Sequence, residues 1–254
     1  DAILDHPGDT VSLCMSCGNT LLAVVMQFID FLRRNPDVLE ALKQKTLMLY
    51  PLSLYWEPTL QFNIDSEYPS TSIYPSALVV YLAMQLMTLG CKVIAHAPQP
   101  PLDFYREFDD MSQDEQSRQV TKYSSYLDQA KSADIFLLGI GTGQHDARYG
   151  TVLDELGIDL TEQFADDEGM AGEIGYQPFD SKGQFAHFPK LIAVTGEELA
   201  ALSQNNTKII ATLGGEQKIP ALRALLQRDQ LPFNVLVTDE TIASIVDRDP
   251  AQAW

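Results

Sequence analysis

Apolar residues follow two spacings along this chain, one typical of strands and one typical of helices. The run from Ile135 to Ile140 has five apolar side chains in six positions, as in a parallel strand that helices cover on both faces. It leads into Gly141, Thr142 and Gly143. Glycine has no Cβ to keep a ligand away from the backbone, and ligands collect at the carboxyl ends of parallel strands. This run predicts either a binding edge or only a strand with a glycine-rich exit.

Strand and helix spacings alternate over most of the remaining sequence. Strands are predicted over residues 10–17, 46–54, 92–97, 190–194, 208–213 and 234–238, helices over 21–32, 37–43, 75–89, 112–131, 197–203, 218–228 and 239–247, a hairpin over 172–180, a long loop over 55–74 and short helical pieces over 150–165. This alternation predicts an α/β fold with a doubly wound, mostly parallel, Rossmann-like sheet. No linker or repeat divides the chain, so residues 1–254 are expected to form a single domain.

Charge and composition restrict the class of partner. The formal net charge is -18, from 35 acidic and 17 basic residues, which opposes sequence-independent binding to DNA because Lys and Arg must neutralise phosphates. No segment approaches the roughly eighteen apolar residues of a membrane span, and residues 1–10 lack the blocks of a signal peptide. The 3 cysteines are too few for a disulfide framework. We expect a cytoplasmic protein with no membrane partner.

The turn after the first predicted strand is a candidate anion site. Gly18, Asn19 and Thr20 stand between a strand and a helix. The free amides at a helix start and a threonine hydroxyl can hold a phosphate or a carboxylate. A helix cap uses the same atoms, so the turn by itself leaves both interpretations open.

A second glycine turn carries a basic residue. Gly214 and Gly215 follow a predicted strand, and Lys218 comes at the start of the next helix. The helix dipole disfavours a cation at that end, so an anionic partner would compensate for it. The alternative is a solvated surface lysine.

Four carboxylates are candidates for binding hydroxyl groups or for acid–base chemistry. Asp239 and Glu240 follow the predicted strand over residues 234–238, while Glu173 and Asp180 come from the predicted hairpin. Asp239 can equally be a helix N-cap, with Glu240 in the first helical turn.

The cysteines and histidines predict no metal site. Cys14 and Cys17 are three residues apart on a predicted strand, so they face opposite sides, and no second pair completes a zinc site. His145 lies just past the central glycine turn, where it could contact a ligand, but a surface imidazole is the default interpretation. The sequence has no phosphate-binding loop, no nucleophile elbow and no full dinucleotide fingerprint. We expect no cofactor.

Three blocks of the chain together resemble a known family. These blocks are residues 210–215 with Lys218 and 234–240, residues 134–143 with 169–174 and 179–183, and residues 16–21. They are similar to the motifs of the sugar-binding effector domain of SorC-type (DeoR-like) bacterial transcriptional regulators. Cys17 and Asn19 stand where that family usually has Trp and Arg, and residues 51–55 lack its glycine-rich second loop.

The resemblance implies a fold, a function and a set of site residues. The fold is related to sugar-phosphate isomerases and CoA-transferases, and the function is to bind a sugar or sugar phosphate in a homo-oligomer, a dimer or tetramer. DNA contact would come from an N-terminal helix-turn-helix that this chain lacks. No catalytic residue is implied. The implied effector-binding residues are Gly18, Asn19, Thr20, Gly141, Thr142, Gly143, Glu173, Asp180, Gly214, Gly215, Lys218, Asp239 and Glu240.

Within that site, the resemblance suggests two roles. Lys218 and Thr20 would take an anionic group, and Glu173, Asp180 and Asp239 would take hydroxyl groups. The alternative function is an enzyme, a sugar-phosphate isomerase or deaminase, with Glu173 or Asp239 as base and Lys218 as its electrostatic partner.

Overall fold

The computed structural model describes residues 2–54, 74–98, 100–143, 164, 169–205 and 207–248. The predicted loop over 55–74, the predicted helical pieces over 150–165 and His145 lie outside these residues, except for Tyr74 and Phe164.

The strands and helices alternate as the apolar spacing predicts. The strands are β1 (Thr10–Met15), β2 (Thr46–Pro51), β3 (Lys92–Ala95), β4 (Ile135–Thr142), β5 (Met170–Ile174), β6 (Gln177–Asp180), β7 (Lys208–Thr212) and β8 (Val235–Val237). The α-helices are α1 (Asn19–Arg34), α2 (Pro36–Lys43), α3 (Pro75–Thr88), α4 (Leu102–Glu107), α5 (Gln113–Ser124), α6 (Asp128–Lys131), α7 (Gly196–Gln204), α8 (Ile219–Leu226) and α9 (Glu240–Arg248). The 3-10 helices are η1 (Phe108–Asp110), η2 (Ser125–Leu127) and η3 (Glu216–Lys218).

Six of the strands form a parallel sheet in the order β3-β2-β1-β4-β7-β8. The order reverses between β1 and β4, and such a switch point opens a crevice at the carboxyl ends of the strands. Strand β5 pairs antiparallel with the end of β4, and β6 pairs antiparallel with β5. The predicted doubly wound, mostly parallel sheet is therefore confirmed, with one antiparallel hairpin attached at the crevice.

Helices pack on both faces of the sheet. On one face, α1 packs against β4, and its buried residues Leu21, Val25 and Ile29, which follow the helical spacing of the sequence, share one core cluster with residues of β1 and β2. On the other face, a larger core surrounds Phe136 of β4 and Phe179 of β6. Because β4 is buried on both sides, its sequence has no polar alternation.

Two predicted elements differ from the structure. Residues 190–194 do not form a strand: one bridge joins Ala193 to Ser53, beyond the end of β2. The helix predicted over 112–131 is interrupted by η2, where the Ser125 hydroxyl donates to the carbonyl of Lys122 at 2.6 Å. Serine side chains compete with helical backbone hydrogen bonds in this way. Helix α4 was not predicted.

Candidate functional site

The carboxyl ends of β1, β4 and β7 meet the β5–β6 hairpin at one edge of the sheet. Three loops form the candidate site there: the β1–α1 turn (residues 16–20), the hairpin tip (residues 173–177) and the β7–α8 loop (residues 213–218). Each loop carries one of the groups that the sequence singled out.

The β1–α1 turn presents helix amides that no side chain caps. Gly18 is the N-cap of α1 with φ of 108°, and as a glycine it makes no side-chain cap hydrogen bond to the helix. A Cβ atom placed on Gly18 would meet nothing within 4 Å. Uncapped amides at the start of a helix are donors for an anion. Asn19 is exposed at the first position of α1.

Two contacts fasten this turn to the central strand. The Ser16 hydroxyl accepts a hydrogen bond from the Gly139 amide at 2.7 Å, and the Ser16 amide donates to the carbonyl of Leu137 at 3.0 Å. A Cβ on Gly139 would lie 2.7 Å from the carbonyl oxygen of Cys17. Glycine is therefore needed at position 139 for the turn to pack against β4.

The glycines at the end of β4 make room for the hairpin. A Cβ on Gly141 would lie 2.1 Å from Glu173 Oε1, and one on Gly143 would lie 1.8 Å from the carbonyl oxygen of Met170. Thr142, between them, is half-buried and pairs with Gly172. The carboxyl of Glu173 therefore occupies the space beside Gly141.

Glu173 is an acid in a half-buried position. Its Oε2 accepts the amide of Tyr176 at 2.8 Å. Burial raises the pKa of Glu173 from 4.5 to about 7, although the Tyr176 amide and the ammonium of Lys218 both favour the charged form. At neutral pH the group can therefore accept or donate a proton.

Lys218 connects the β7–α8 loop to the β1–α1 turn. Its Nζ lies 3.3 Å from the Thr20 hydroxyl oxygen. Burial lowers the pKa of Lys218, and the neighbouring Glu173 carboxylate partly offsets this effect. A cation, a hydroxyl and uncapped helix amides therefore converge on one point, where they can bind an anionic group.

In the β8–α9 turn, Asp239 already has hydrogen-bond partners within the protein. The Asp239 carboxylate accepts the amide of Ile242 at 2.9 Å and the amide of Gly215 at 2.6 Å. These two bonds lower the pKa of Asp239. Glu240 is exposed in the first turn of α9. These contacts agree with the helix-cap interpretation of Asp239. Gly214 lies beside the same carboxylate, since a Cβ placed on it would be 3.3 Å from Asp239 Oδ2.

Asp180 closes a turn of its own. Its Oδ1 accepts the amides of Lys182 at 2.9 Å and Gln184 at 2.8 Å. The residues that the structure brings together most directly are Gly18, Thr20, Gly141, Glu173 and Lys218.

Sequence reasoning missed three residues at this edge. Ser16 holds β4, Tyr176 holds Glu173, and the Cys17 side chain forms a hydrogen bond with the side chain of Tyr176. Burial raises the pKa of the Cys17 thiol well above its ordinary value, and the Glu173 carboxylate raises it further. Ser16 and Gly139 are 123 residues apart, and Cys17 and Tyr176 belong to different segments, so no local motif indicates these two contacts. The Tyr176 amide bonds to Glu173 within the hairpin itself.

Neither a metal-ion cluster nor a membrane-spanning helix occurs in the part of the chain that the structure describes. Within it, no group of three or more His, Cys, Asp or Glu side chains could hold a metal ion. None of the helices described there is long and apolar enough to cross a membrane.

The chain resembles known proteins in sequence and in structure. A family model described as "Putative sugar-binding domain" matches residues 108–246. No curated protein matches the sequence.

Several solved structures share the fold. A transcriptional regulator from Streptococcus pneumoniae TIGR4 is 16% identical with a TM-score of 0.56, over 95% of this chain and 79% of that chain. A DeoR family transcriptional regulator from Listeria monocytogenes is 16% identical with a TM-score of 0.54, over 96% and 81%. The full-length sorbitol operon regulator SorC from Klebsiella pneumoniae is 17% identical with a TM-score of 0.53, over 93% and 65%.

Proposed function

This chain belongs to the sugar-binding domain family, and from that premise we propose that it is the effector-binding domain of a bacterial transcriptional regulator of carbohydrate metabolism. The effector is a small sugar or sugar phosphate. The observation that carries the proposal is the convergence of Lys218, Thr20 and the uncapped start of α1 beside the half-buried acid Glu173.

One end of this site suits an anionic group. Lys218 is partly desolvated, so an anion bound there would be screened less by water than at an exposed lysine. The first amides of α1 add donors without competition from a side-chain cap. A phosphate would receive both kinds of contact, and a neutral sugar would use mainly the amides and Thr20.

The other end suits hydroxyl groups. The Glu173 carboxyl has one oxygen engaged by the Tyr176 amide at 2.8 Å, which fixes its direction and leaves acceptor capacity on the second oxygen. Carboxyl oxygens are good acceptors for sugar hydroxyls. Asp180, Asp239 and Glu240 remain predicted contacts, with Asp239 acting also as the cap of α9.

A thermal-shift panel tests this function. The probes are glucose 6-phosphate, fructose 6-phosphate and ribose 5-phosphate, each beside its free sugar, with inorganic phosphate as a control for simple anion binding. A ligand at about a hundred times its Kd stabilises the fold by roughly 2.7 kcal/mol, or about 5 to 10 °C in Tm for a domain of this size. The proposal would be contradicted if only inorganic phosphate raised Tm, or if no sugar or sugar phosphate in an extended panel raised it.

An enzyme is the second candidate, because an acid with a pKa of about 7 beside a lysine suits proton transfer between sugar carbons. Each binding sugar phosphate should therefore be incubated with the protein and followed by NMR. Isomerisation, deamination or solvent deuterium incorporation that Glu173→Gln abolishes would favour catalysis over effector sensing.

The domain acts in the cytoplasm as a homo-oligomer, and DNA contact lies outside residues 1–254. The net charge of -18 opposes DNA binding by this chain. It also makes two copies repel one another, except through an uncharged face. Helix α3 has no charged residue in its 14 positions and exposes Val80, Met84 and Met87 by 43%, 61% and 61%. Their spacing puts them along one side of the helix, which suits contact with a second copy.

Light scattering and anisotropy test these two statements. The wild type should have the mass of a dimer or tetramer, and Met84→Glu should lower it, whereas Met26→Glu, at a residue of α1 that is exposed by 50%, should not. A monomeric wild type would contradict the first statement. Specific operator binding by residues 1–254 alone would contradict the second.

A further inference from the structure

The tip of the β5–β6 hairpin has an uncommon backbone. The strands pair up to Ile174 and Gln177, which leaves Gly175 and Tyr176 as a two-residue loop with φ of 58° and 70°. Positive φ at both positions is the geometry of a type I′ turn, whose second position favours glycine. Tyr176 is the one non-glycine residue with positive φ among the residues that the structure describes.

The surroundings hold this conformation in place. A Cβ on Gly175 would lie 2.7 Å from Leu52 Cδ2, so the loop packs closely against the end of β2. The Gln177 side chain donates to the carbonyl of Ala186 at 3.1 Å and accepts the amide of Gly196 at 2.7 Å. Non-glycine residues in such a disfavoured conformation persist only where the surroundings hold them, and they cluster at functional sites.

Tyr176 contacts two parts of the candidate site at once. Its amide donates to Glu173 Oε2 at 2.8 Å, and its side chain forms a hydrogen bond with the side chain of Cys17. Glu173 lies over Gly141 of β4, and Cys17 belongs to the β1–α1 turn. The side chain of Tyr176 also packs against the larger core, and this packing restricts the position of its ring.

We infer that Tyr176 is a positioning residue of the effector site: its amide orients the Glu173 carboxyl, and its hydroxyl holds the β1–α1 turn through Cys17. The inference rests on the proposed function, since it assigns a role within that site. Glycine at position 176 would suit the turn better but would lack the hydroxyl. The tyrosine therefore sets the distance between the acid that binds hydroxyls and the turn whose amides bind the anion.

The variant Tyr176→Phe tests this role, because it keeps the ring and the backbone and removes one oxygen. Two measurements apply to it: hydrogen–deuterium exchange of peptides that cover residues 16–22, and calorimetric titration with glucose 6-phosphate, fructose 6-phosphate and ribose 5-phosphate. The amides of Ser16 and Leu22 are hydrogen-bonded to Leu137 and Gly18, so their exchange reports on the turn. Tyr126→Phe, at a tyrosine exposed by 49%, is the matched control.

We expect Tyr176→Phe to speed exchange in residues 16–22 at least threefold and to raise the Kd of the binding sugar phosphate about two- to tenfold, as for one lost hydrogen bond. Its Tm should stay within about 1 to 2 °C of the wild type, and Tyr126→Phe should change none of these quantities. A purely structural role would lower Tm and leave the Kd unchanged.

The possible results separate the two proposals. Faster exchange with an unchanged Kd would overturn the positioning role, and so would a weaker Kd with unchanged exchange, which would mean direct contact with the sugar. Unchanged exchange and Kd would overturn it as well. If none of the three sugar phosphates binds the wild type, the proposed function fails for these effectors, while the exchange rates still decide whether Tyr176 holds the turn.

Discussion

The β1–α1 turn and the β8–α9 turn lie at the same edge of one parallel sheet, and both begin a helix with polar residues. In the β8–α9 turn, Asp239 caps α9 and also holds the amide of Gly215. In the β1–α1 turn, Gly18 offers no side chain, and the first amides of α1 have no side-chain cap. A polar residue at a strand end is therefore available to a ligand only where the fold has not already used it.

This comparison separates two kinds of substitution. We call the β1–α1 turn the open turn and the β8–α9 turn the closed turn. Substitutions at the open turn and at its neighbours Lys218 and Glu173 should change ligand affinity or protonation. Substitutions at the closed turn should mainly change the stability of the fold.

The largest expected effect is the pH dependence introduced by Glu173. Its pKa is raised from 4.5 to about 7, so between these values the folded state holds a proton that the unfolded state has lost. The contribution of Glu173 to the free energy of unfolding is therefore highest below pH 4.5 and falls as the pH rises to about 7, by on the order of 3 kcal/mol at most, since partial solvent access screens a half-buried group.

Glu173→Gln removes this dependence, because glutamine mimics the protonated acid. The groups facing Glu173 are Lys218, Cys17 and the amide of Tyr176. Denaturant unfolding should give the variant a stability equal to the wild type at pH 4.5 and a higher one at pH 8. A constant difference across this range would show that Glu173 does not titrate there.

The next effect is on binding at the open turn. Lys218→Met should weaken a phosphorylated ligand by roughly ten- to a hundredfold, because charged hydrogen bonds contribute about 1.5 to 3 kcal/mol. A neutral sugar should lose less, and Tm without ligand should hold or rise, because a partly buried charge is removed.

The control for this variant is Lys208→Met, which makes the same change of charge at the exposed start of β7. Calorimetry with a sugar phosphate and its free sugar decides the result. If Lys218→Met weakens the binding of both ligands equally, or of neither, then Lys218 does not bind the anionic group.

A smaller effect is expected at the closed turn. Asp239→Ala removes the cap of α9 and the partner of the Gly215 amide, so it should lower Tm by about 2 to 8 °C. Asp239→Asn, which can still accept at the N-cap, should recover part of the loss. If Asp239→Ala keeps the wild-type Tm and mainly weakens sugar binding, the contrast between the two turns is wrong.

The smallest effect is expected at Thr20. Thr20→Val removes the hydroxyl that lies 3.3 Å from Lys218 Nζ and keeps the shape of the side chain. The Kd for a sugar phosphate should rise about two- to fivefold, as for one weak hydrogen bond. A loss as large as that of Lys218→Met would mean that Thr20 orients the lysine rather than assisting it.

The glycines of the central run illustrate what a sequence pattern can and cannot show. The predicted strand, its burial and the glycine-rich exit all occur in β4. The pattern did not indicate, however, that Gly141 and Gly143 make room for Glu173 and for the backbone of Met170. Ligand contact at these two glycines stays a prediction. Absence of a Cβ shows that something approaches closely, but only the fold shows what it is.

The sequence by itself determined the alternating architecture, because burial on two faces of a sheet and on one stripe of a helix leaves distinct apolar periods. It also identified most of the polar residues at the site edge, since strand ends and glycine turns are local features. The tertiary structure decided which of them already have protein partners, because those hydrogen bonds join distant segments. Asp239 accepts hydrogen bonds from the Gly215 amide and from the first turn of α9. The Tyr176 amide orients Glu173, and Ser16 joins the β1–α1 turn to β4, and no local pattern indicated either contact.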